Sequence, residues 1–339
     1  MPDKRDDSAG IIDVHAHLYP QGCIRDVIAG KPDFELVESR RGGLQVNYRG
    51  SLVMSLPPAQ DDIEARLATM DKAGISIQVL SIGALNIGWA GAGAPSISRK
   101  INESLAEVCR QARGRFRFVA TVPFENRLEM LRELEHALSL GAAGVGITTT
   151  IGDNSLDAPR LGDFWHEAGK RNLLVLVHPT FPPNGPAGDQ GQFLTVGYLG
   201  ETAMAAGKLV LAGVLEECPG IRLVWSHLGG SLAMLVDRLD RAYKRYEKCR
   251  RAPSSYLREC FYDTACAHGP ALDCARATFG ARALLFGTDE PHVPNASREV
   301  LAALRARPWP TGDLNAILSG NIRRLAIADS ATDVERRSP

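Results

Sequence analysis

Short apolar runs that end in an ionisable side chain recur along the chain and alternate with segments of helical period. The first is Ile11-Ile12-Asp13-Val14-His15-Ala16-His17, and the second is Leu173-Leu174-Val175-Leu176-Val177-His178 with Pro179 behind it. A third, Arg222-Leu223-Val224-Trp225-Ser226-His227, runs into Leu228-Gly229-Gly230, and a fourth, Ala283-Leu284-Leu285-Phe286-Gly287-Thr288-Asp289, runs into Glu290-Pro291. Apolar runs of this length, bounded by turn residues, predict buried strands. Further strands are predicted at residues 75–81, 116–122, 143–148 and 260–264. Helical periodicity predicts helices at 61–73, 97–113, 128–140, 160–171, 199–217 and 231–246; in the first of these Ile63, Leu67 and Met70 share a face and Gly74 is the stop. A loop-rich insertion at about 19–60, with Gly42, Gly43 and Pro57-Pro58, breaks the rhythm and predicts a small cap after the first strand.

Strands that alternate with helices are parallel, because each crossover returns the chain to the same end of the sheet. The simplest closure is a (β/α)₈ barrel of the TIM type, a single domain over 1–339 with its active site at the carboxyl-terminal mouth. An open doubly wound sheet also binds ligands at strand ends. It does not readily bring strands one, five, six and eight together. In a barrel, one and eight are neighbours, and five and six face them across the mouth.

Composition narrows the class. The chain has 339 residues, 45% of them hydrophobic, enough for one large core. Its 39 basic and 39 acidic residues give no basic face for nucleic acid. There is no apolar run long enough for a membrane span and no signal-peptide pattern at the amino terminus. Seven cysteines without CxxC spacing read as reduced thiols, so a cytoplasmic protein is the expectation.

His15 and His17 sit at i and i+2, which places both imidazoles on one side of a strand, while Ala16 is small and turned away. Alone, such a pair reads more readily as hydrogen-bonded histidines at a strand end than as ligands. The recurrence of His178, His227 and Asp289 at comparable strand ends is what favours a metal site, since a catalytic zinc needs three protein ligands and one open position. The fourth strand ends Val145-Gly146-Ile147-Thr148-Thr149 and offers no bridging ligand before Asp153, which points to one ion rather than two.

These pieces, with Phe261-Tyr262-Asp263-Thr264-Ala265 and Gly320-Asn321, resemble the aminocarboxymuconate semialdehyde decarboxylase family of the amidohydrolase superfamily over nearly the whole chain. The resemblance implies one divalent metal held by His15, His17, His178 and Asp289, with zinc the first expectation and manganese, iron or cobalt as alternatives. It implies His227 as catalytic acid or base, with Asp289 sharing that role; histidine's ordinary pKa of about 6.5 suits proton transfer near neutrality. By position, Arg49 matches a substrate-carboxylate arginine, its alternative being a solvated loop residue. Arg238 matches an arginine lent across a homodimer interface, its alternative being a helix-surface ion pair with Asp237 or Asp240. One departure is Glu290, where the family commonly has an aromatic residue, which changes the polarity expected beside the site.

The activity implied is non-oxidative decarboxylation of an aromatic or conjugated unsaturated carboxylic acid, a small-molecule carboxylate substrate. A metal-dependent hydrolase or hydratase keeps the same fold and ion, and a non-catalytic metal-dependent binding protein is the third reading. Trp89, Phe181 and Trp225 are candidates for an apolar pocket, although alternation turns Trp225 away from His227. His292 reads as a solvent-exposed loop histidine with a proton-shifting alternative; His136, His166 and His268 look incidental.

Overall fold

Parallel pairing of eight strands organises the molecule, seen in a computed structural model that describes residues 10–40, 42–58, 60–181, 191–265 and 267–325. The strands are β1 (Ile11–His17), β2 (Ile75–Ser81), β3 (Phe116–Phe118), β4 (Val145–Thr148), β5 (Leu174–His178), β6 (Arg222–Trp225), β7 (Phe261–Asp263) and β8 (Leu284–Leu285). Around them run α1 (Ile63–Ala73), α2 (Ala94–Gln111), α3 (Arg127–Ser139), α4 (Gly162–Lys170), α5 (Tyr198–Leu211), α6 (Leu232–Ala242), α7 (Gly269–Phe279) and α8 (Ala296–Arg305). β1 to β3 form one continuous ladder and β4 to β8 another. Single parallel bridges, Ala120 to Val145 and Ala16 to Glu290, join the two ladders along both seams and complete the (β/α)₈ ring.

Local chemistry sets the element ends. α1 begins where the Asp62 side chain accepts a hydrogen bond from the Ala65 amide, and it stops at Gly74 with φ +74°. The helix predicted over 199–217 ends instead at Leu211. Gly213 adopts φ +81°, and a Cβ there would lie 2.7 Å from the Lys248 carbonyl oxygen, so the chain turns before the short helix Val214–Glu217. A small hairpin, Thr150–Ile151 with Asn154–Ser155, follows β4 and has no counterpart in the sequence reading.

Inside the ring, Ile12, Val14, Val79, Val119, Leu176 and Val224 form an inner cluster that Ile322 joins. The larger apolar layer lies between strands and helices. In β1 the pairing to β2 shifts register between Asp13 and Ala16. This irregularity lets the inner residues Ile12 and Val14 be followed by two histidines that also face inward.

The 19–60 segment supplies a helix, Cys23–Ile28, and a three-stranded antiparallel sheet of Phe34–Glu38, Leu44–Tyr48 and Ser51–Leu56. Ser51–Leu56 is an edge strand of that sheet and lies beside the mouth. Among the described residues no helix is long and apolar enough to cross a membrane.

Candidate metal centre and its cavity

Four donors converge at the mouth: His15 and His17 from the end of β1, His178 from the end of β5, and Asp289 beyond β8. Their ligand atoms all lie within 4.8 Å of one another, and all four residues are buried. The Asp289 carboxylate sits at the centre of the group. Its Oδ1 is 2.8 Å from His17 Nε2, 3.3 Å from His15 Nε2 and 3.9 Å from His178 Nε2, while Oδ2 is 3.3 Å from His227 Nε2.

The outward ring nitrogens fix what the inward ones can do. His15 Nδ1 lies 2.8 Å from Asp263 Oδ2, His17 Nδ1 is 2.9 Å from Ser81 Oγ, and His178 Nδ1 donates to the Pro179 carbonyl at 2.7 Å. Each Nδ1 that donates leaves Nε2 with a lone pair. Once His15 has given up its Nε2 proton, three lone pairs point at one place. His15 Nε2 and His17 Nε2 are 3.0 Å apart, and the buried His178 Nε2 has no hydrogen-bond partner. A divalent cation resolves both the crowding and the orphaned nitrogen, and three imidazoles with one carboxylate are a donor set that zinc accepts. The residues present therefore fit a single metal ion.

The protonation pattern carries the same signature. Burial opposes a charge on His15, yet Asp263 and then Asp289 raise its pKa to about 10. Burial brings His178 down to about 4 against the pull of Asp289, and burial likewise lowers His17. Burial would raise the Asp289 carboxyl, but the four histidines around it hold it well below the usual range. The site is built to hold positive charge.

Backbone strain places Asp289 and His227. Asp289 has φ +67° and its amide donates to the His15 carbonyl at 2.8 Å; His227 has φ +54°, with its amide held by Asp263 Oδ1 at 3.0 Å. Left-handed backbone at non-glycine residues is costly and persists where the surroundings over-determine it. His227 is partly buried, its Nδ1 has no partner, and it faces the cavity.

That cavity has a volume of about 540 Å³, and His178, His227, Asp289, Tyr198, His268 and His292 contribute its polar wall. Two cap carbonyls close over it: Tyr198 donates to Val53 at 2.8 Å, and His292 Nδ1 donates to Ser55 at 2.8 Å. His292 is thus half-buried and engaged rather than a solvent-exposed loop residue, its Nε2 lying 2.8 Å from the Tyr19 hydroxyl. His268 lines the rim, while His136 pairs with Glu103 and His166 contacts Cys218 away from the mouth.

The two arginines lie elsewhere. Arg49 occupies the cap turn with φ +49°, half-exposed, and pairs with Asp33 at 3.1 Å instead of lining the metal cavity. The turn sets its guanidinium beside Asp33 on the cap. Arg238 is exposed on α6, outside the cavity of its own chain. Its helix neighbour Asp237 pairs with Arg241 instead. Glu290 also departs from expectation: it is buried, accepts from the Ser297 amide at the start of α8, and does not line the cavity. Trp89 and Phe181 line a separate cavity of about 400 Å³ beneath the cap, and Trp225 packs fully buried.

Asp263, Ser81 and Tyr198 are functional neighbours that the sequence reading gave no role. Asp263 carried a signal, since it ends β7 as the other polar residues end their strands.

Comparison with known proteins places this geometry in a family. The amidohydrolase family profile matches residues 12–325. A 6-methylsalicylic acid decarboxylase of Aspergillus aculeatus is 30% identical over 301 residues, covering 84% of each chain. The crystal structure of an IDCase from Metarhizium anisopliae superposes with a TM-score of 0.83 at 22% identity, over 95% of this chain and 98% of the other. A dihydroxybenzoic acid decarboxylase from Polaromonas, solved with bound manganese, superposes with a TM-score of 0.72 at 21% identity, over 94% and 96% of the two chains. The chain belongs to the amidohydrolase family.

Proposed function

We propose that the protein removes carbon dioxide, without net oxidation, from an aromatic or conjugated unsaturated carboxylic acid. The observation that carries this reading is the conjunction of one complete metal-ligand set with His227 poised beside it and facing a cavity large enough for a ring. The 6-methylsalicylic acid decarboxylase likeness supports it, and 6-methylsalicylic acid is the first substrate to try.

A divalent ion held by His15, His17, His178 and Asp289 supplies electrophilic stabilisation of negative charge on the acid. The chain's own residues do the rest. The carbon–carbon bond to the carboxylate breaks with its electron pair left on the substrate carbon, and that carbon must gain one proton. His227 delivers it. Asp289, 3.3 Å from His227 Nε2, orients the imidazole and shares its proton. Asp263 keeps His15 and the His227 backbone in place, and the cap strand shields the cavity from bulk water.

Zinc is the proposed native ion, on the strength of the three-histidine donor set; the manganese of the Polaromonas structure makes that ion the competitor. Free thiols at Cys23, Cys109, Cys218, Cys249, Cys260 and Cys274 support a reducing, cytoplasmic setting. A homodimer is proposed through the face shared by α5 and α6. Val196, just before α5, Met204 on α5 and Met234 on α6 stand 74%, 59% and 79% exposed, and Arg238 lies one turn beyond Met234. Sedimentation of wild type against Met234→Glu and Arg238→Glu tests the dimer, which fails if wild type is monomeric at micromolar concentration.

The deciding experiment loads purified protein with zinc or manganese, measures metal per chain, and follows 6-methylsalicylic acid and a panel of aryl and dienyl acids. Release of carbon dioxide with the decarboxylated product is expected. A product gaining the elements of water, with no carbon dioxide, would move the assignment to a hydrolase or hydratase.

A further inference from the structure

The mouth cavity is chemically lopsided. Beyond the metal donors its wall is made by Val53, Met54, Leu194, Leu199, Leu228 and Val293, and no lysine or arginine lines it among the described residues. Its polar groups are mostly committed. The Tyr198 hydroxyl donates to Val53, His292 Nδ1 donates to Ser55, and His292 Nε2 meets the Tyr19 hydroxyl. His268, at the exposed outer rim, and His227 Nδ1, beside the ion where the reacting carboxylate lies, remain. Both large polar side chains thus spend their donors on carbonyls of the cap's edge strand. One charged carboxylate is provided for, at the ion. A second, carried inward on the same ring, would meet apolar walls and no partner, and an unpaired buried charge is strongly disfavoured.

Size adds to polarity. A cavity of about 540 Å³ lies within the range that encloses a drug-sized ligand, more than a single methylated ring requires. We infer that the site is specific for a monocarboxylic aryl acid bearing an extended apolar substituent, an alkyl chain or second fused ring lying against Val53, Leu194, Leu199 and Val293. This inference rests on the decarboxylase reading for the placement of the carboxylate at the ion, and it adds which acids the cavity accepts.

The test uses the metal-loaded protein and four probes: 2-hydroxybenzoates with methyl, propyl or pentyl at position 6, and 3-hydroxybenzene-1,2-dicarboxylate, which carries its second carboxylate at that same position. Carbon dioxide release is measured on wild type, and dissociation constants by calorimetry on metal-loaded His227→Asn, which holds substrate without turning it over. Affinity is expected to rise by about fourfold per methylene from methyl to propyl. The dicarboxylate is expected to bind on the order of a hundredfold more weakly than the methyl acid. A dicarboxylate within tenfold of the methyl acid, or affinity flat or falling from methyl to propyl, overturns the inference.

Thr195→Arg, which puts a cation into the lining, is expected to narrow the discrimination at least tenfold. An unchanged ratio in that variant counts against the missing-cation argument. Arg238→Ala is expected to keep the wild-type ranking; a changed ranking would move specificity to the subunit interface and overturn the inference. The predicted binding order with no carbon dioxide from any probe sinks the decarboxylase reading and leaves the cavity assignment standing. Carbon dioxide release with the reverse order does the opposite.

Discussion

Asp263 grips His15 and His227 together: one carboxylate oxygen lies 2.8 Å from His15 Nδ1 and the other accepts the His227 amide at 3.0 Å. The first contact selects the tautomer that leaves His15 Nε2 free for a metal, and the second holds His227, the proposed proton carrier, in its left-handed backbone. Asp263 is fully buried, and the opposing charge of His15 holds its carboxyl below the usual range despite burial. Asp263→Asn keeps the shape and removes the charge. Metal affinity is expected to fall by about 10- to 100-fold, measured by competition with a chromogenic chelator, with near-native circular dichroism. An unchanged affinity would reduce Asp263 to packing.

Metal binding should expel a proton, and the pH dependence has a definite sign. In the ion-free protein His15 titrates at about 10, whereas His178, at about 4, and His17, also lowered, are already neutral near pH 8, and Asp289 is ionised. Only His15 competes with the cation. Its proton is essentially fully present up to about pH 8, half lost at about pH 10, and must leave for Nε2 to coordinate. Apparent affinity therefore rises about tenfold per pH unit between pH 7 and 9 and levels off near 10. Titration calorimetry in buffers of different ionisation heat should report about one proton released per ion at pH 8. Zero released protons would mean that His15 is neutral before the ion arrives.

Replacing His227, the proposed proton carrier, should separate chemistry from metal binding. His227 touches Asp289 but is not one of the four converging donors. His227→Asn is expected to lower kcat by about 10²- to 10⁴-fold, the usual contribution of a general acid or base. Metal content per chain should stay at the wild-type value. Loss of the ion in this variant would make His227 a ligand and require a different proton carrier.

The strand ends were legible because a buried parallel strand is apolar until it reaches the mouth, so a polar residue closing such a run stands out. His15, His17, His178, His227 and Asp289 all announce themselves this way and meet in space. Asp263 obeys the same rule, but its partner is an imidazole nitrogen 248 residues away. No local pattern encodes that contact. Arg49 shows a different limit: a match by position encodes no contact, and the fold sets this turn residue, at φ +49°, beside Asp33. Glu290 was read beside the site because it follows Asp289. The strained backbone between the two sends successive side chains to the metal and to the start of α8. The cap was visible only as a break in rhythm, and what fastens it, Tyr198 and His292, was not visible at all.

That fastening is open to direct measurement. Ser51–Leu56 is an edge strand whose Val53 and Ser55 carbonyls, two residues apart, are met by the Tyr198 and His292 side chains rather than by another strand. Tyr198→Phe removes one of these bonds and leaves the buried Val53 carbonyl without it, a loss of about 1 to 3 kcal/mol. Because the bond ties cap to barrel and does not sit in the barrel core, the loss should appear as local opening and not as global unfolding. Hydrogen exchange across residues 51–56 is expected to accelerate by about tenfold or more, following from that loss. Exchange in β1 and β5, and the metal content, should stay as in wild type. If the cap shields the cavity as argued, substrate KM rises in the same variant while the ion stays bound. Acceleration spread evenly over the barrel strands would mean instead that Tyr198 supports the core, and that the cap strand is held by something other than its two side-chain bonds.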